Sequence, residues 1–338
     1  MSVDLASTVS PRGSGQLPVL SVVLPIFNEE AIIPELLRRL HGTLASLSAS
    51  YEVIFVNDGS RDRSLELLAV AARQDPHFKI IDFSRNFGHQ VAITAGIDYS
   101  GGEAVIVMDA DLQDPPETIP ALVEKWRAGF DVVFAVREER AGESLFKRGT
   151  ASLFYRLLKR VARIDIPADT GDFRLMSRRA VDALKSLRER HRFVRGMVSW
   201  VGFRQTAVRY QREARYAGIT KYPLRKMLSF AMDGIASFSF APLHLATYLG
   251  VSAAGVSFFY LVYALWVRFF TDRAVTGWTS LIVAVLFVGG VQLITLGIIG
   301  EYIGRIYDES KQRPLYIVAD TVGFKPVVTR ASSGVERQ

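Results

Sequence analysis

The chain has 338 residues, 49% of them hydrophobic, with a formal net charge of +7 and a mean hydropathy of +0.18. It contains no cysteine, which excludes disulfides, thiolate metal sites and cysteine nucleophiles, so any metal is expected on oxygen donors. The apolar excess places part of the chain in lipid. The basic balance suits nucleic acid, anionic headgroups or a phosphorylated substrate equally, but there is no C2H2 spacing and no RNP-like aromatic and basic motif, so no nucleic-acid partner is expected.

Residues 1–17 are rich in Ser, Pro and Gly and lack the apolar stretch of a signal peptide, so they read as a disordered leader, with the N-terminal region kept in the cytoplasm. From Val19, short β-branched runs alternate with amphipathic stretches. The pattern predicts strands over 19–26, 51–57, 79–84, 104–108 and 131–136, and helices over 30–47, 64–73, 90–99 and 116–128. Apolar strands separated by helices define an α/β domain with a mostly parallel, Rossmann-like sheet, assigned here to residues 18–221. Ligands of such sheets sit outside the carboxyl ends of the strands, beside a switch point.

Three motifs fall at those ends: Pro25-Ile26-Phe27-Asn28-Glu29, Asn57-Asp58-Gly59-Ser60 and Asp109-Ala110-Asp111-Leu112-Gln113. Asp109 and Asp111 have the spacing to share a divalent cation that in turn holds a diphosphate. An Asp-led turn before Pro115-Pro116 accounts for the same residues without a metal. The other acidic loops, and the membrane character of the later chain, favour the metal. His89 has no second histidine at ligand spacing and reads as a packing or hydrogen-bonding residue.

The last third changes character. Residues 242–267 and 279–300 carry no Asp, Glu, Lys or Arg, and each exceeds the roughly 20 residues that cross a bilayer core. A two-helix transmembrane domain is therefore expected over 242–300, followed by a cytoplasmic tail over 301–338. Lys221, Arg225 and Lys226 precede the first span and Arg305, Lys311 and Arg313 follow the second, against Arg268 and Arg273 between them, which puts both termini inside. Leu224, Leu228, Ala231, Ile235 and Phe238 recur at helical spacing and predict an interfacial amphipathic helix over 222–241.

The segments PIFNEE, VNDGSRD, DADLQDPP, DTGDFRL, AGITKYPL and GEYIGRIYDESKQRPLYIV, in this order, resemble the polyprenyl-phosphate glycosyltransferases of family 2. Within them the resemblance is to bactoprenol (undecaprenyl) phosphate glucosyltransferases, with dolichol-phosphate mannose synthases as more distant relatives. It implies a glycosyltransferase-A catalytic domain and an inverting transfer of a hexose, glucose from UDP-glucose, onto a polyprenyl phosphate at the cytoplasmic face of the inner membrane. GDP-mannose or a modified UDP-sugar stays open as donor, and a non-catalytic membrane scaffold is the reading from another class. Self-association into a homo-oligomer is left open.

Residue by residue, the resemblance implies that Pro25, Phe27, Glu29, Asp58, Asp109, Ala110 and Arg137 hold the nucleotide, with Phe27 stacking on the base and Asp58 accepting from its edge. Asp109, Asp111 and Gln113 would surround Mg2+ or Mn2+. Arg148, in a polar loop with Lys147, would steady the leaving group. Ser152, Arg215, Thr220 and Lys221 would receive the acceptor phosphate, and Arg195 belongs to the same basic cluster near the headgroups. Asp172 matches the position of a general base. A phosphomonoester with a second pKa near ~6 is already ionised at neutral pH, so Asp172 alternatively orients Arg174, a sugar hydroxyl or the acceptor.

Overall fold

In the computed structural model of the protein the described residues are 18–138, 170–211, 241–270 and 277–324. Arg148, Ser152, Arg215, Thr220 and Lys221 lie outside them, as do the expected leader and residues 222–240 of the expected interfacial helix.

The apolar runs become strands β1 (Leu20–Ile26), β2 (Tyr51–Asn57), β3 (Phe78–Phe83), β4 (Ala104–Val107) and β5 (Val132–Arg137). The stretches between them become helices α1 (Ile33–Ala45), α2 (Ser64–Gln74), α3 (His89–Tyr99) and, after a 3-10 turn, α4 (Ile119–Arg127). Three further strands complete one eight-stranded sheet: β6 (Thr170–Ser177), β7 (Gln205–Tyr210) and β8 (Val318–Val322), in the order β7-β5-β6-β4-β1-β2-β3-β8. The central block β4-β1-β2-β3 is parallel as expected. The sheet as a whole is mixed, because β6 lies antiparallel between β4 and β5, and β8 antiparallel on β3.

Alternation along the strands divides the core into two layers. Val22, Leu24, Phe55 and Phe173 face α1, α2 and α4. Val23, Ile54, Val107 and Met176 face α3 and two short helices, α5 (Arg178–Ser186) and α6 (Val194–Val201). Asp172 and Arg174 share the face of Met176 by the same period of two. Pro25 is tolerated inside β1 because the β1–β4 ladder ends at Val23 and Val107, so its missing N–H leaves no partner unmet on that side. Where that ladder stops, β1 leads to β2 on one side and β4 to β6 on the other. In open α/β sheets such a divergence is where a ligand crevice is expected, at the carboxyl end of the sheet.

Two long helices follow, α7 (Ala241–Phe270) and α8 (Trp278–Ser310). At 1.5 Å per residue they run roughly 45 and 50 Å, more than a bilayer core of about 30 Å. The apolar segments Pro242–Val267 and Phe287–Ser310 are long and apolar enough to cross a membrane, and almost none of either is buried. Phe259, Phe269 and Leu293 stand 73%, 77% and 71% exposed, which no core helix of a water-soluble fold would show.

The chain beyond residue 300 differs from the tail expected there. α8 continues unbroken to Ser310, and residues 318–322 return to the eight-stranded sheet as the edge strand β8. The return is anchored: the Arg190 N–H donates to Glu309 Oε1 at 2.6 Å, and Tyr316 stacks on Phe83 and donates its hydroxyl to Asp98 Oδ2 at 3.0 Å. One sheet thus includes a strand from each side of the apolar hairpin.

Candidate active site

The carboxyl ends of β1 and β2 are laced together. The Asn28 N–H donates to Ser60 Oγ at 3.0 Å, the Arg61 N–H to Asn28 Oδ1 at 2.8 Å, and the Glu29 N–H to Ser64 Oγ at 2.8 Å. Asn28 takes a left-handed φ of 56°, a conformation Asn adopts more readily than most residues. This turn leaves Phe27 45% exposed at the rim of the crevice, with Glu29 half-buried beside it and Pro25 buried behind. An exposed ring at this place offers a flat apolar face to a base.

Asp58 is placed differently from its expected use. Its carboxylate is buried and accepts from the Phe87 N–H at 2.6 Å and the Gly88 N–H at 3.0 Å, so it clamps the loop that leads into α3. Burial pushes its pKa up, with those two amides and His89 and Arg85 pulling the other way. The clamp needs Gly59, whose φ is +67° and where a Cβ would come within 2.6 Å of the Asn86 nitrogen.

The loop clamped by Asp58 delivers His89 to the crevice. His89 Nε2 lies 3.4 Å from Asp109 Oδ1 and 3.2 Å from Asp172 Oδ2, and the three side chains bring ligand-type atoms within 4.8 Å of one another. Sequence reasoning set His89 aside for want of a second histidine and expected oxygen donors alone. Its partners are carboxylates from two distant strands, which no local spacing could announce. Burial disfavours the imidazolium, but the hydrogen bond to Asp172 and the charges of Asp109 and Asp172 outweigh it and raise the His89 pKa.

Asp109 and Asp172 differ sharply. Asp109 is 28% exposed, yet its Oδ1 is buried with no hydrogen-bond donor among the described residues. Burial pushes its pKa up to about 6; His89 opposes this, while Asp172, Asp114 and Asp111 add to it. A carboxylate oxygen without a hydrogen bond, set among the negative charges of Asp172, Asp114 and Asp111, suits a cation, and oxygen donors with one imidazole fit Mg2+ or Mn2+. Asp172, by contrast, is saturated. Arg195 donates to it twice, at 2.9 and 3.1 Å, Arg174 Nη2 at 3.1 Å and Gln90 Nε2 at 3.3 Å, with His89 as the fourth neighbouring residue. Burial raises its pKa, but His89, Arg195 and Arg174 overcome that and hold it well below the usual carboxylate range.

Arg195 is therefore bound to a site carboxylate, while the other members of its expected basic cluster lie outside the described residues. Arg174 is the largest fully buried side chain among the described residues, only 1% exposed. Burial lowers its pKa to about 10, so it stays charged at neutral pH. Asp111 caps its own loop, accepting from the Gln113 N–H at 3.1 Å, and stands outside the His89, Asp109 and Asp172 cluster. Ala110, within that loop, is buried. Arg137 reaches from the end of β5 to Tyr210 and Asp114, neither of which the sequence reading singled out.

A mixed sheet with a carboxylate crevice at the β1/β4 switch point, joined to a pair of apolar helices, is the architecture of a membrane-associated sugar transferase. The chain belongs to glycosyltransferase family 2. The model described as "Glycosyl transferase family 2" matches residues 21–185, and that described as "GtrB C-terminal hairpin" matches residues 241–306. The chain is 56% identical to YkcC of Bacillus subtilis (strain 168), an uncharacterised glycosyltransferase, over 90% of this chain and 94% of that one. It is 44% identical to the bactoprenol glucosyl transferase of Shigella phage SfV, over 88% and 97% of the two chains. A solved structure of glucosyl-3-phosphoglycerate synthase from Mycobacterium tuberculosis, holding Mn2+, UDP and glucosyl-3-phosphoglycerate, is more remote. Its identity is 19% over 65% of this chain and 78% of that one, with a TM-score of 0.45, too loose a likeness to bear on the site.

Proposed function

We propose that this glycosyltransferase moves a hexose, glucose from UDP-glucose, onto a polyprenyl phosphate of the undecaprenyl type at the cytoplasmic face of the inner membrane. The observation that carries the reading is the buried Oδ1 of Asp109 just after β4, which accepts no hydrogen bond among the described residues and lies 3.4 Å from His89 Nε2. The acceptor class follows from the likeness to bactoprenol glucosyl transferases and from two helices fit to lie in the bilayer with a lipid substrate.

In this reading Phe27 and Glu29 receive the nucleoside, and Asp109, Asp111 and Gln113, with His89 now added, hold Mg2+ or Mn2+. That cation, when bound, offsets the charge that develops on the diphosphate leaving group. An oxygen of the lipid phosphate attacks the anomeric carbon as its bond to UDP breaks, and the negative charge passes to UDP. The nucleophile is ionised at neutral pH, so no proton need be removed. Asp172, gripped by Arg195, Arg174, Gln90 and His89, serves to orient those groups. No side-chain nucleophile is required, so one displacement inverts the anomeric centre. Arg148 is assigned to the leaving group, and Ser152, Arg215, Thr220 and Lys221 to the acceptor phosphate. α7 and α8 span the membrane with both termini inside.

The test is transfer by the purified full-length protein to polyprenyl phosphate across a panel of nucleotide sugars with Mg2+ or Mn2+. The reading expects UDP-glucose to be the best donor and chelator to stop the reaction. A preference for GDP-mannose would replace the donor assignment, and no transfer from any donor would leave a binding scaffold.

A further inference from the structure

The acidic loop that starts at Asp109 ends on Asp114, which is fully buried. Asp114 Oδ1 accepts a hydrogen bond from the Tyr210 hydroxyl and lies 3.6 Å from Arg137 Nη2. Arg137 Nε donates to the same Tyr210 oxygen at 3.2 Å. Asp114 Oδ2 is buried with no donor among the described residues, so Tyr210 supplies the carboxylate's one neutral hydrogen bond there. Gly171 completes the seat, since a Cβ on it would lie 2.9 Å from Arg137 Nη2. The ends of β5 and β7 and the start of β6 thus converge on the far end of the loop, while β4 holds its near end. Between these fixed points Leu112 takes a left-handed φ of 57°, and Asp111 folds back on the Gln113 N–H. A short loop pinned at both ends holds one shape; released at Asp114, its far end is held only by the buried Pro115 and the 3-10 turn Pro116–Thr118 that follow it.

We infer that Tyr210 is a positioning residue for the cation and diphosphate site, acting through Asp114 to keep the loop in the shape that presents Asp109 and Asp111. The inference rests on the reading of that loop as the metal site. The hydroxyl and the ring do separate jobs: the ring packs edge-on against Phe173 with centroids 5.9 Å apart, and phenylalanine keeps that contact. Tyr210→Phe therefore removes the O–H alone. Groups that orient metal ligands from behind change metal affinity by roughly 10–100-fold when lost.

The experiment uses the full-length protein and measures Mn2+ binding with UDP present, from the electron paramagnetic resonance signal of free Mn2+, with no acceptor and hence no turnover. Tyr210→Phe is expected to weaken Mn2+ binding by about tenfold or more, and to raise the donor KM with less change in kcat. Its melting temperature is expected to fall by roughly 2–12 °C, because the buried Asp114 carboxylate loses that hydrogen bond. Gly171→Ala, which displaces Arg137 from the other side, should weaken Mn2+ in the same way. Native Mn2+ affinity in Tyr210→Phe, or a lower melting temperature with unchanged Mn2+ affinity, would overturn the inference and make the hydroxyl merely structural. If the unaltered protein binds no Mn2+ with UDP, the metal-site reading itself falls, and the inference with it.

Discussion

Replacing Asp172 by Asn keeps the shape of the side chain and removes its charge from between two guanidinium groups. Arg174 is 1% exposed and Asp172 3%, so solvent screens little of their interaction. One Arg174 nitrogen, Nη1, already lacks a hydrogen-bond partner among the described residues. Breaking one side of a buried ion pair costs roughly 3–5 kcal/mol, because the other charge stays buried and uncompensated. For a domain of this size each kcal/mol lowers the melting temperature by about 2–4 °C, so the expected drop is roughly 6–20 °C. The sign with pH follows from the depressed pKa: the contribution is complete above the ordinary carboxylate range and is lost only as pH falls below it. Thermal unfolding of the solubilised full-length protein at neutral pH, followed by circular dichroism, reads the effect. Adding Arg174→Met to Asp172→Asn removes the stranded charge and should restore part of the melting temperature without restoring transfer. A native melting temperature in Asp172→Asn with transfer abolished would refute this reasoning, since that is the signature of a reactive base.

Asp111→Asn is expected to abolish metal-dependent transfer while the protein stays folded in the membrane, and wild-type rates in that variant, or in excess chelator, would contradict the metal assignment. Gly59→Ala forces a side chain into a left-handed backbone 2.6 Å from the Asn86 nitrogen, at a cost of roughly 1–3 kcal/mol. Calorimetry with UDP should show weaker nucleotide binding as the loop clamped by Asp58 shifts. Reporter fusions at Gln338 and beside Asp272 test the topology, with a cytoplasmic reporter expected to be active at the first and a periplasmic one at the second. The reverse pattern would refute two spans with both ends inside.

The parallel half of the fold was legible in the sequence because its strands are unbroken β-branched runs, each followed by an amphipathic helix. β2 matches its predicted bounds, 51–57, and β1 and β3 match within one residue. β6 was not legible as a strand. It places Asp172 and Arg174 inside the protein, and two buried charges in eight residues erase the apolar alternation that marks a strand. β8 escaped for another reason: its central residues are exposed, so burial left no periodic trace. The acidic loops were readable as local motifs, whereas the partners that give them meaning were not. His89 meets Asp109 from the start of α3, Arg195 meets Asp172 from a helix 23 residues later in the chain, and Tyr210 meets Asp114 from the edge strand. Each of those contacts is set by strand order, and strand order was the part of the sheet that hydrophobic pattern left open.

The central claim is that the loop from Asp109 holds a cation that carries the diphosphate. Crystals of the protein grown with Mn2+ and UDP, measured at the manganese absorption edge, test it most directly. The account predicts an anomalous peak within bonding distance of an Asp109 carboxylate oxygen and in contact with the UDP phosphates. UDP bound in the crevice with no anomalous peak, or a peak away from Asp109, would contradict it.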